Sequence, residues 1–135
     1  MTRTEVFRVM LASLGLLAAA GSALAHHSFA AIYDPEQSVT VTGVVTNVDW
    51  LNPHAHFFVD VENEDGDVEN WDFELASPNG LMRLGWRRDS LKPGDEVTVV
   101  GIPARDGSTR ANTRSVTLAD GSRMFSGDGQ QGGLQ

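Results

Sequence analysis

Three stretches of the chain alternate apolar and polar residues at every second position, the period of a half-buried β-strand and not of a helix. The first, Ser38 to Trp50, carries Val39 and Val41 on one parity and Val44, Val48 and Trp50 on the other, with Gly43 where the parity changes. A glycine at such a phase change predicts a bulge or sharp bend, which lets one long strand serve two edges of a small barrel. The second, His54 to Glu62, puts Phe57, Val59 and Val61 on one face and His54, His56, Phe58 and Asp60 on the other. The third, Val68 to Leu75, turns Trp71, Phe73 and Leu75 inward and Asn70, Asp72 and Glu74 outward.

Glu64-Asp65-Gly66 between the second and third stretches suits a three-residue hairpin loop with Gly66 in the left-handed position. That loop fixes a register. Val59 then faces Trp71, Phe57 faces Phe73 and His56 faces Glu74, whereas a two-residue loop would mismatch every pair. Ser77 reads as an N-cap, Pro78 as the first helical residue and Gly85 as the stop of a short helix over Pro78 to Leu84, anchored by Leu81 and Leu84. Lys92-Pro93-Gly94-Asp95 has turn chemistry, and strands are expected over Val97 to Ile102 and Asn112 to Leu118. The order strand, strand, strand, short helix, strand, strand is that of an all-β, OB-fold-like five-stranded Greek-key barrel, with its helix between strands 3 and 4. A five-stranded sandwich is the structural alternative.

Composition narrows the chemistry. The 135 residues suffice for one compact domain, and the absence of cysteine excludes disulfides, thiolate metal sites and cysteine nucleophiles. With 10 Lys and Arg against 18 Asp and Glu, the formal charge of -8 repels phosphate backbones, which argues against nucleic-acid binding. There is no Gly-x-Ser-x-Gly elbow, phosphate loop or calcium-loop spacing. Catalysis is therefore not the expectation.

Arg3 and Arg8 precede an apolar run from Val9 to Ala20 that is too short to span a bilayer, and Ala23-Leu24-Ala25 has the small-residue pattern of a cleavage site. The chain thus divides into a cleavable signal peptide (1–25), a histidine-bearing N-terminal segment (26–37), the barrel (38–125) and a disordered Gly- and Gln-rich tail (126–135). Periplasmic localisation follows, with no transmembrane segment after cleavage. The mature chain begins at His26.

The four histidines fall in two pairs, His26-His27 and His54-Ala55-His56. Residues two apart on a strand project from one face, so His54 and His56 present two imidazoles side by side. Cleavage before His26 frees an α-amine that chelates, with the imidazole of the same residue, a single ion in a histidine brace. Amine and imidazole nitrogens in a tetragonal setting suit copper. His26 and His54 are the first metal-ligand candidates; His27, His56 and Glu74 follow, with Glu74 opposite His56 and Asp72 one step along the same face. Trp50, Trp71 and Trp86 are assigned to packing, and nothing fixes a role for Tyr33.

His26-His27-Ser28-Phe29-Ala30, Tyr33-Asp34, Asn52-Pro53-His54, Trp71-Asp72-Phe73-Glu74, Ser77-Pro78-Asn79, Gly85-Trp86, Leu91-Lys92-Pro93-Gly94-Asp95 and Asp120-Gly121 together resemble a family of exported proteobacterial proteins known only as a domain of unknown function. The resemblance spans nearly the whole mature chain and implies an exported single domain without implying an activity. It also implies an aromatic residue at position 56 in relatives, which ranks His56 below His54.

Two functions are carried forward. The first is a periplasmic barrel that binds copper or a similar divalent metal through His26 and the strand histidines, for storage or delivery. The second is a metal-free OB-type interaction module that binds a peptide, glycan or envelope partner on the face of Phe58 and His56. A small-molecule carrier has no pocket signature in the sequence.

Overall fold

A computed structural model describes residues 29–127. The expected signal segment, His26, His27 and the tail from residue 128 lie outside the described residues. Two compact units are distinguished, one ending at Ile32, of which residues 29–32 are helical, and one beginning at Tyr33.

The second unit is built from β1 (Val39–Asp49), β2 (His56–Glu62), β3 (Val68–Glu74), the helix α1 (Pro78–Arg83), β4 (Glu96–Pro103), β5 (Arg110–Leu118) and β6 (Arg123–Phe125). β1 pairs with β2 and β4, β2 with β3, and β4 with β5, all antiparallel, and a parallel β3–β5 pairing closes the five strands into a barrel. With α1 between β3 and β4, this is the expected all-β, OB-like order. β6 is an addition that sequence periodicity does not disclose; it pairs with the C-terminal half of β5.

The hairpin has the expected register: His56 is opposite Glu74, Phe57 opposite Phe73 and Val59 opposite Trp71. Its loop is closed by Asn63 N donating to Asp67 O at 2.9 Å, and Gly66 has φ of 83°, a conformation that side chains with a Cβ resist. Asn63 Oδ1 also accepts from the amides of Asp65 and Asp67, so one side chain satisfies the loop's inward donors.

β1 serves two edges, as expected, but its phase changes later than Gly43. Val39 to Val44 pair with β4 and Val44 to Asp49 with β2. The irregularity lies between Val45 and Asn47, so Thr46 is the extra residue. Val45 is therefore in the core and Val44 is 41% exposed. Gly43 has a different cause: a Cβ there would stand 2.2 Å from Asp60 O.

Phe57 and Phe73 stack at 5.2 Å in the barrel, and Trp71 stacks on Phe73 at 5.8 Å. α1 is capped by Ser77, whose hydroxyl accepts from Gly80 N at 3.2 Å. Leu81 is buried as expected, but Leu84 is 51% exposed. The helix stops at Arg83, Gly85 turns the chain at φ of 94°, and it is Trp86 that enters the core, donating its Nε1–H to Phe125 O. Tyr33 and Ser126 are buried in the barrel unit, where Ser126 Oγ accepts from Ala76 N at 3.1 Å.

Candidate functional site

β2 and β3 present a polar outer face because their alternation is strict: Ala55, Phe57 and Phe73 point inward and are fully buried, so His54, His56, Asp72 and Glu74 all take the opposite side. His56 Nδ1 meets Asp72 Oδ1 at 2.7 Å, and His54 Nδ1 is hydrogen-bonded to Glu74 Oε1. Glu74, expected to orient His56, therefore orients His54 instead. Each histidine bonds the carboxylate two positions before its own place in the register, a diagonal that the right-handed twist of a two-stranded ribbon brings together.

Two further residues complete the cluster. Tyr33 donates its hydroxyl to Glu74 Oε2. Arg110 arrives through barrel closure, which sets it directly beside Asp72 in the parallel β3–β5 pairing. Its Nε lies 3.5 Å from Asp72 Oδ2 and its Nη2 lies 3.5 Å from Glu74 Oε2, with the guanidinium 5.9 Å from the Tyr33 ring centroid. No local pattern marks Arg110, which joins β2 and β3 only by long-range pairing. Tyr33 was visible merely as an aromatic residue upstream of the barrel.

A carboxylate only accepts hydrogen bonds, so each imidazole donates from Nδ1 and, when neutral, keeps its lone pair on Nε2. Metal-binding histidines are commonly held in this way, with a carboxylate fixing the tautomer and the ring direction. Successive positions on one strand face lie about 6.6 Å apart, which puts His54 and His56 within reach of one ion or of neighbouring ones. Among the described residues, no group of three or more His, Cys, Asp or Glu side chains is arranged to hold a metal ion. The cluster thus offers two oriented nitrogens and needs other donors to complete a coordination sphere.

The electrostatics follow from the same contacts. The hydrogen bond to Asp72 raises the His56 pKa, against a smaller opposing effect of burial; the charges of Asp72 and Glu74 add to the rise and that of Arg110 opposes it. Burial by itself would raise the Glu74 carboxyl, but hydrogen bonds from Tyr33 and His54 and the charges of both histidines bring it below its ordinary value. Burial, and then the bond to Glu74, raises the Tyr33 hydroxyl, which keeps it protonated as a donor.

A raised folded-state pKa means that the His56–Asp72 pair stabilises the fold fully below the imidazole's ordinary 6.5 and loses that contribution as pH rises through the folded value. In metal-free protein, the urea midpoint is expected to fall between about pH 6 and about pH 9 more steeply for wild type than for Asp72→Asn. Equal slopes would show that the pair is not formed in solution.

Among the described residues, no helix is long and apolar enough to cross a membrane. Neither the curated proteins nor the solved structures contain a match to the chain. Residues 12–113 do match a family model, described as a family of unknown function (DUF6152), which covers most of the barrel and the segment before it. The chain is a member of that family.

Proposed function

We propose that this protein is exported to the periplasm, is cleaved before His26, and binds copper or a similar divalent metal through the His26 amine and imidazole together with His54. His27 and His56 are further nitrogen donors, and Glu74 acts by holding the His54 ring. The observation that carries the reading is the paired arrangement on β2 and β3, in which two imidazoles on one face each have Nδ1 committed to a carboxylate and Nε2 left for a ligand.

One other fact supports it: the chain's charge of -8 favours cations over anions. Binding must displace any proton from His56, so affinity rises with pH through the imidazole range. The role that fits one site on a small barrel is holding or passing on a metal ion.

The test is intact mass spectrometry of the exported protein followed by Cu(II) titration of the same material. A chain that begins at His26 and holds one tight equivalent of copper supports the reading. No stoichiometric uptake would sink it, and would leave the metal-free module, binding a peptide, glycan or envelope partner across Phe58 and His56, as the better description.

A further inference from the structure

Glu74 is the carboxylate of the cluster that joins a strand histidine to the segment preceding β1. Its Oε1 holds His54, and its Oε2 takes the Tyr33 hydroxyl. Tyr33 is itself immobilised: it is 2% exposed, forms an antiparallel bridge with Ala104, and precedes Asp34, whose amide donates to Pro103 O at 3.0 Å. The Arg110 guanidinium covers its ring and reaches the same Oε2 at 3.5 Å. The hydroxyl is therefore a fixed donor, set by the backbone of the segment that follows the N-terminal histidines.

We propose that Tyr33 is a positioning residue for the metal ligand His54, acting through Glu74 so that docking of the chain at residues 33–34 and orientation of the His54 imidazole are one event. The proposal rests on the metal reading given above and adds to it the residue that sets the ligand's direction. With both Glu74 oxygens engaged, the carboxylate has one orientation, and His54, whose side chain is half exposed, has one ring position. Remove the hydroxyl and Glu74 is free to turn towards Arg110 or solvent. His56 donates to a different carboxylate, Asp72, so that hydrogen bond does not pass through Tyr33 or Glu74.

The experiment is a double-mutant comparison of Cu(II) affinity in the exported protein. Tyr33→Phe keeps the buried ring and removes only the hydroxyl; about a tenfold loss is expected, as for other residues that orient a metal ligand. The same change is expected to cost nothing further in a His54→Ala background and to keep its full effect in a His56→Ala background. Unchanged affinity of Tyr33→Phe, or an equal loss in all backgrounds, overturns the proposal, because a purely structural role would not distinguish the two histidines. A second readout separates this proposal from the metal reading. Nitrogen-15 shifts of the metal-free protein should show His54 with its proton on Nδ1 in wild type and spread over both nitrogens in Tyr33→Phe, with His56 unaltered. Wild type that takes up no Cu(II) defeats the metal reading alone, whereas identical His54 shifts in both proteins defeat the positioning role.

Discussion

Gly43→Ala is expected to destabilise the barrel by at least about 3 kcal/mol, a large part of the roughly 5–15 kcal/mol that holds a domain of this size together. An added Cβ would lie 2.2 Å from Asp60 O and 2.8 Å from Val59 Cγ1. Overpacking in a core usually costs about 1–3 kcal/mol because side chains give way. Here the obstacle is a carbonyl of β2, itself fixed between β1 and β3, so relief requires the strands to separate. Gly43 stands at the turn of the coil where β1 leaves β4 for β2, and separation there opens the barrel. The check is a urea titration followed by tryptophan fluorescence, with Thr42→Ala as the control. Thr42 is exposed on the same strand, and its change removes a hydroxyl contact with Thr98 at 2.9 Å and an exposed methyl group, so its effect should stay within about 1 kcal/mol. A Gly43→Ala protein as stable as wild type would show that β1 and β2 do not approach as closely as described.

The second large effect is on ligand binding. Replacing His54 and His56 together by Ala is expected to weaken Cu(II) binding by on the order of a hundredfold or more, since altering residues that merely orient a ligand already costs about ten- to a hundredfold. The single changes rank the two: His54→Ala should approach the double variant, and His56→Ala should fall between it and wild type. Stability of the metal-free barrel at about pH 9, where the His56–Asp72 contribution is lost, should change little in the same proteins, because both side chains lie on the outer face with the core residues Ala55 and Phe57 untouched. Copper should therefore raise the thermal midpoint of wild type and lose that effect in the double variant, as binding to the native state alone requires. An affinity that survives both substitutions would place the ion elsewhere.

Much of this architecture can be read from residues, and the parts that cannot share a cause. The β2–β3 register was legible because strict alternation and one loop glycine leave a single in-phase pairing. α1 was legible because Ser77-Pro78 and Gly85 mark its two ends. The bulge was misplaced because Val44 and Val45 adjoin, and either parity can claim an apolar residue; burial of Val45 decides it. β6 has three residues and no period to detect. At the site, the register correctly set His56 across from Glu74, yet the bonds run diagonally, since twist is a three-dimensional property that a flat ladder omits. Tyr33 and Arg110 come from 41 positions before Glu74 and from across the barrel seam, and no local spacing links them. His26 and His27 enter on the chemistry of a free α-amine and imidazole alone.

Electron paramagnetic resonance of protein that begins at His26 and is loaded with one equivalent of Cu(II) tests the central assignment most directly, because nitrogen couplings identify the donor atoms themselves. The expected spectrum is tetragonal, with couplings from the terminal amine and imidazole of His26 and from His54, the last of them lost on His54→Ala. A spectrum of oxygen donors only, or nitrogen couplings indifferent to His54→Ala, would contradict the assignment of the oriented imidazoles as metal ligands.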